Sequence, residues 1–261
     1  YTLDEIRNDI TRETPASFEP TIDYCVVKIP RFAFEKFPEA DPHLGVQMKS
    51  VGETMAIGRT FKEAFQKGLR GLEIGKQGFV SRTDSSLSEA EILDQLAERD
   101  AARVFLIRCG LEKGIAVEKI ARVTGIDPWF LNNMKDVVEF DAAIAPDILE
   151  RSTEEQREFF AQAKQRGFSD AQLAAKFGCD ELTVRTKRRS AGVLPTYKLV
   201  DTCAAEFEAY TPYYYSSYDS EDEVTTSDAR KVVILGGGPN RIGQGIEFDY
   251  CCCQASFALA D

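Results

Sequence analysis

The chain has 261 residues, of which 43 % are hydrophobic and 29 % charged, with 18 glycines and 10 prolines; this is the composition of a folded globular protein and excludes collagen-like or wholly disordered classes. A formal net charge of −11 argues against a general binder of nucleic acid or anionic membrane, since such binding is largely Lys and Arg neutralising a polyanion. Seven cysteines without C-x-x-C spacing and a single histidine, His43, support neither a zinc site nor a disulfide framework and fit free thiols in the cytoplasm, and no apolar run approaches the roughly 20 residues that cross a bilayer.

Residues 1 to about 73 read as mixed α and β. Cys25-Val26-Val27-Lys28-Ile29-Pro30 is short and rich in β-branched residues, and predicts a strand stopped by its proline. Met48 to Gly58 predicts one or two further strands, with glycines at bends or close backbone approaches. A helix follows. Thr60 caps it with Glu63 three residues on, Phe61, Phe65, Leu69 and Leu72 recur on one face, and Gly75 and Gly78 end it.

From Ser86 to about Gly192 the pattern changes to short helices, with starts at Ser88, Val117, Asp127, Thr153, Ser169 and Asp180. At Asp127-Pro128 an acceptor occupies the cap and proline the first helical position, ahead of the stripe Trp129, Phe130, Met134, Val137 and Val138. Helices this short are marginal alone, so their stripes must pack together into one all-α domain. Residues 210–228 are polar and acidic and carry five tyrosines; they read as a linker that lies on a neighbouring surface through its rings. Val232-Val233-Ile234-Leu235 then predicts a buried parallel strand running into Gly236-Gly237-Gly238. A start at Tyr1 and a finish inside an apparently helical run suggest a piece of a longer chain.

The glycine-rich run 236–245 is the one recognisable chemical motif. It is not a dinucleotide fingerprint, because Arg241 stands where the third glycine belongs, and not a P-loop, because Gln244 and Gly245 replace Lys and Ser/Thr. A strand, turn and helix start remain, which favour an anion at the helix N-terminus; a structural turn is the preferred reading. Between Ser169 and Ser190 the pattern resembles a helix-turn-helix. Residues 151–192 hold nine Lys or Arg against six Asp or Glu, so a nucleic-acid-binding module is the alternative function; a solvated basic face is preferred, and no nucleic-acid partner is expected. Cys251, Cys252 and Cys253, among apolar neighbours, read as buried small hydrophobes.

Several segments together are similar to the large subunit of carbamoyl phosphate synthetase: Thr14-Pro15-Ala16-Ser17-Phe18-Glu19-Pro20 with Asp23-Tyr24, the run from Gln47 to Arg59, Ile126 to Leu131, Val200 to Phe207, and residues 236–252. Their order along essentially the whole chain is more specific than any one of them; Leu199 and Cys253 depart from the family pattern. The resemblance implies a mainly α chain. Residues 1–73 would end a first, α+β ATP-grasp half that makes carboxyphosphate, 74–223 would be a helical, bundle-like oligomerisation domain with its linker, and 224–261 would open the β-α unit of a second half. It implies a parent ligase that makes carbamoyl phosphate from bicarbonate, glutamine-derived ammonia and two ATP, with Mg or Mn, for arginine and pyrimidine synthesis. The expected partners are copies of the helical domain, the remainder of the large subunit and a small glutaminase subunit. Catalytic residues and metal ligands are expected outside this chain. Met48, Gly245 and Glu247 match positions that line the family's substrate tunnel.

Overall fold

The computed structural model describes residues 1–9, 11–19, 22–81, 86–201, 213–235 and 250–260. Strands β1 (Cys25–Arg31) and β2 (Gly52–Gly58) pair antiparallel, with Cys25 opposite Gly58 and Arg31 opposite Gly52. Their alternation sends Val27, Ile29, Thr54 and Ala56 inward and leaves Val26 and Met55 exposed. The expected stop at Pro30 is not seen. The strand continues to Arg31, because β1 is an edge strand among the described residues, where a missing N–H is tolerated. Of the stretch expected to hold one or two strands, only β2 is formed, and Met48 precedes it in a loop.

Helix α1 (Phe61–Gly71) starts where predicted, with the Thr60 hydroxyl accepting from the Glu63 N–H. Glu63 and Gln66 are buried along with Phe65, Leu69 and Leu72 of the apolar stripe, because α1 lies between the hairpin and the helices that follow. The helix ends at Gly71, before the predicted Gly75 and Gly78, both of which have positive φ in the turn beyond. It approaches the hairpin closely at Gly68, where an added methyl would stand 2.8 Å from Ile29 Cδ1.

The helical domain comprises α2 (Glu89–Ala97), α3 (Arg103–Glu112), α4 (Val117–Thr124), α5 (Pro128–Ala143), α6 (Thr153–Gln165), α7 (Asp170–Phe177) and α8 (Glu181–Ser190). Every start that the sequence signalled is present. Ser88, Ser152 and Ser169 form reciprocal capping boxes with Glu91, Glu155 and Gln172, and Asp127 and Asp180 cap through their carboxylates. Helix α3 is the unanticipated element. It has no side-chain cap and is buried on every face from Phe105 to Leu111, so it shows neither of the signals that marked the others. One core runs through all these helices from Phe65 to Val193, with Phe79, Ile92, Leu96, Ile120, Leu131 and Phe160 fully buried.

After α8, strands β3 (Thr196–Leu199) and β4 (Tyr214–Ser217) form a second antiparallel pair, so part of the expected linker is a strand. Val232 to Leu235 does not form the expected buried strand; Leu235 is 93 % exposed, since no strand among the described residues lies alongside it. Helix α9 (Tyr250–Ala260) buries no residue, and Cys251 and Cys253 are exposed. The expectation that the three thiols are buried is therefore corrected: the helix has no surface to pack on within the described residues. No described helix is long and apolar enough to cross a membrane.

Candidate interaction surfaces

Helix α1 is held to the helical domain through the polar side chains of Lys62, Gln66 and Arg70. Gln66 Nε2 donates to the Arg166 carbonyl at 2.8 Å, and its Oε1 accepts from Gln172 Nε2 at 3.0 Å and from the Phe79 N–H at 3.2 Å. Arg70 donates to the Gly167 carbonyl at 2.7 Å, and Lys62 pairs with Asp136 at 2.6 Å while Arg166 reaches the same carboxylate at 3.0 Å. Gly167, with φ +82°, comes so near α1 that an added Cβ would stand 2.9 Å from Glu63 Cα. A side chain there would meet backbone, which cannot rotate away.

Beneath this junction lies a buried charge cluster. Arg188 grips Asp170 bidentately at 3.0 and 2.9 Å, and Lys164 reaches the same carboxylate at 2.5 Å. The remaining donors find the Phe168 and Val193 carbonyls at 2.9 and 2.7 Å. Burial draws the Lys164 ammonium down to about 8, against the opposing pull of Asp170. Burial alone would raise Asp170, but its hydrogen bonds and charges from Arg188 and Lys164 outweigh that and hold it below the usual range. The cluster is satisfied internally, as buried charges must be.

Residues 213–223 cross the same region. Tyr218 lies over Lys164 and Arg188, 5.5 and 5.3 Å from its ring centroid. Ser217 Oγ donates to the buried Glu63 at 3.0 Å, and Asp219 pairs with Arg59 at 3.0 Å. Lys67, 2.8 Å from Glu63, also donates to the Ser216 carbonyl. Glu223 accepts from Lys198 Nζ at 3.1 Å and from the Leu199 N–H at 2.8 Å.

An apolar surface stays open. A groove of 650 Å³ runs between β1, α1, α3 and α5, lined by Ile29, Phe61, Leu69, Phe105, Phe130 and Met134 among others. At its rim Phe61, Trp129 and Phe130 form a ring cluster with centroids 5.0–5.4 Å apart, and Trp129 is 55 % exposed. Part of the stripe predicted for α5 thus faces solvent while Met134, Val137 and Val138 face the core.

Of the three positions matched to a tunnel wall, Met48 is 89 % exposed, and Gly245 and Glu247 lie outside the described residues, as does the glycine loop 236–245. The helix-turn-helix is formed by α7, Gly178 in the left-handed conformation and α8, but Arg188 of its second helix is turned inward onto Asp170, leaving Arg185, Lys187 and Arg189 exposed. Among the described residues no three His, Cys, Asp or Glu side chains converge as metal ligands. Sequence reasoning missed the Lys164–Asp170–Arg188 cluster, since a charge in a polar stretch looks the same whether it is solvated or buried.

Residues 53–192 match the model of the carbamoyl-phosphate synthetase large chain oligomerisation domain, and residues 228–261 that of the carbamoyl phosphate synthase preATP-grasp domain. The chain is 57 % identical over its whole length to the carbamoyl phosphate synthase large chain of Archaeoglobus fulgidus, covering 24 % of that protein. It is 55 % identical over 99 % of its length to the large chain of Nostoc sp., covering 23 %, and 53 % identical over its whole length to the chloroplastic arginine-specific large chain of Arabidopsis thaliana, covering 22 %. The chain spans about a quarter of the length of these curated relatives.

Proposed function

The chain belongs to the carbamoyl phosphate synthetase large-chain family, and from that premise we propose that its helical domain is a self-association module which also joins two ATP-grasp halves. Residues 1–73 would end the half that makes carboxyphosphate, 74–223 would be the oligomerisation domain with its linker, and 224–261 would open the half that makes carbamoyl phosphate. The parent is then a cytoplasmic ligase using bicarbonate, ammonia released by a glutaminase subunit, and ATP with Mg or Mn, and it serves arginine and pyrimidine synthesis. Catalysis belongs to the rest of the large chain. In this reading Met48, Gly245 and Glu247 belong to the wall of a tunnel that shields a labile intermediate from water.

The observation that carries the reading is the match of residues 53–192 to an oligomerisation domain. The exposed Trp129 and Phe130 rings, clustered on the half-buried Phe61, support it, since contiguous apolar surface of this kind marks interaction sites. The test is the solution mass of the chain by light scattering over a wide concentration range. A dimer or larger species that grows with concentration is expected. A monomer at every concentration would overturn self-association as a property of this domain.

A further inference from the structure

Residues 213–223 touch two units at once. Towards the helical domain, the Tyr218 ring covers both cations of the buried cluster, Lys164 on α6 and Arg188 on α8. Towards the α/β unit, Ser217 engages Glu63 in the first turn of α1, Asp219 engages Arg59 just before its cap, and the Tyr215 ring lies 5.9 Å from that of Tyr24. The far end is fastened by Glu223, whose carboxylate takes Lys198 Nζ and the Leu199 N–H while its own N–H donates to the Tyr197 carbonyl at 2.9 Å.

We propose that residues 213–223 form a strap that couples the α/β unit to the helical domain, so that releasing it from either one loosens it from the other. The ladder cannot hold this segment down unaided. β4 is four residues long and pairs with β3 alone among the described residues, and an isolated two-stranded ribbon is marginal in water. The strap stays seated through contacts at both flanks, and a coupling of that kind acts equally in both directions. The segment that matches a preATP-grasp domain begins at residue 228, shortly beyond Glu223, so a displacement of that unit reaches Arg59 and Glu63 by way of the strap. This goes beyond the oligomerisation reading and does not depend on it.

Hydrogen exchange followed by mass spectrometry tests the coupling. Tyr218→Leu attacks the strap from the helical-domain side, and the pair Ser217→Ala with Asp219→Asn attacks it from the α/β side. Each is expected to speed amide exchange about tenfold both in residues 59–67 and in 196–199, with 103–143 unchanged. Acceleration confined to the side whose contacts were removed would overturn the proposal. Should Tyr218→Leu also expose 103–143 and so unfold the domain, the Ser217→Ala, Asp219→Asn variant decides alone, by whether exchange at 196–199 rises with that at 59–67.

Discussion

Asp170 is the residue whose removal the fold should feel most. Among the described residues its carboxylate is the only acidic group paired with Arg188 and Lys164 in the buried cluster, so Asp170→Ala leaves two cations facing each other out of water. Breaking such a pair by removing one partner costs about 3–5 kcal/mol, and the urea midpoint should fall accordingly. Lys164 makes a pH prediction with a definite sign. Folded, it titrates at about 8; unfolded, near about 10.4. Between these values the unfolded chain holds a proton that the folded chain has released, so stability rises with pH across that window. Burial lowers Lys67 too, which adds to the rise. Above pH ~10 the trend reverses, since burial raises Tyr215 and Tyr218 and the unfolded tyrosines ionise first. Burial raises the Cys25 thiol, which opposes the rise, so urea midpoints measured between pH 8 and 10 should have a more positive slope for the natural chain than for Lys164→Met. None of this was legible beforehand: Asp170 reads as a first-turn helix acid, and only the packing of α6 against α8 makes it a counter-ion.

At the scale of elements, the caps were readable and the buried pieces were not. Ser88, Asp127, Ser169 and Asp180 each announced a helix because a side-chain oxygen satisfying a free N–H is a local arrangement. Helix α3 was silent because an element buried all round has no polar face to set a period. Strand β4 was masked by its serines and tyrosines, which fit a linker as well as a strand until β3 is beside it. Gly167 lies in the turn between α6 and α7. At Gly167 a methyl group is opposed twice, by a positive φ and by the α1 backbone, so Gly167→Ala should lower stability by about 3 kcal/mol. By contrast Gly125 also has positive φ but open space about its Cβ direction, and Gly125→Ala should cost about 1 kcal/mol; thermal melts of the two variants separate crowding from backbone strain.

For the whole molecule, the sequence was most informative about family and order of parts, through motifs spread from Thr14 to Cys252, and least about surfaces, which depend on what packs where. Trp129 is the single tryptophan and sits on an open ring cluster, so its emission reports whether that face is used in assembly. A blue shift that follows the rise in mass is expected; a growing mass with constant emission would place the contact elsewhere. The thiols of α9 bear directly on such experiments. Cys251 and Cys253 face solvent on a helix that packs against nothing described. Under air, chains can become stapled together by intermolecular disulfide linkages there, and such adducts would counterfeit an assembly on any sizing column. A species that disappears when dithiothreitol is added owes its existence to oxygen, and only what survives the reductant speaks for the helical domain.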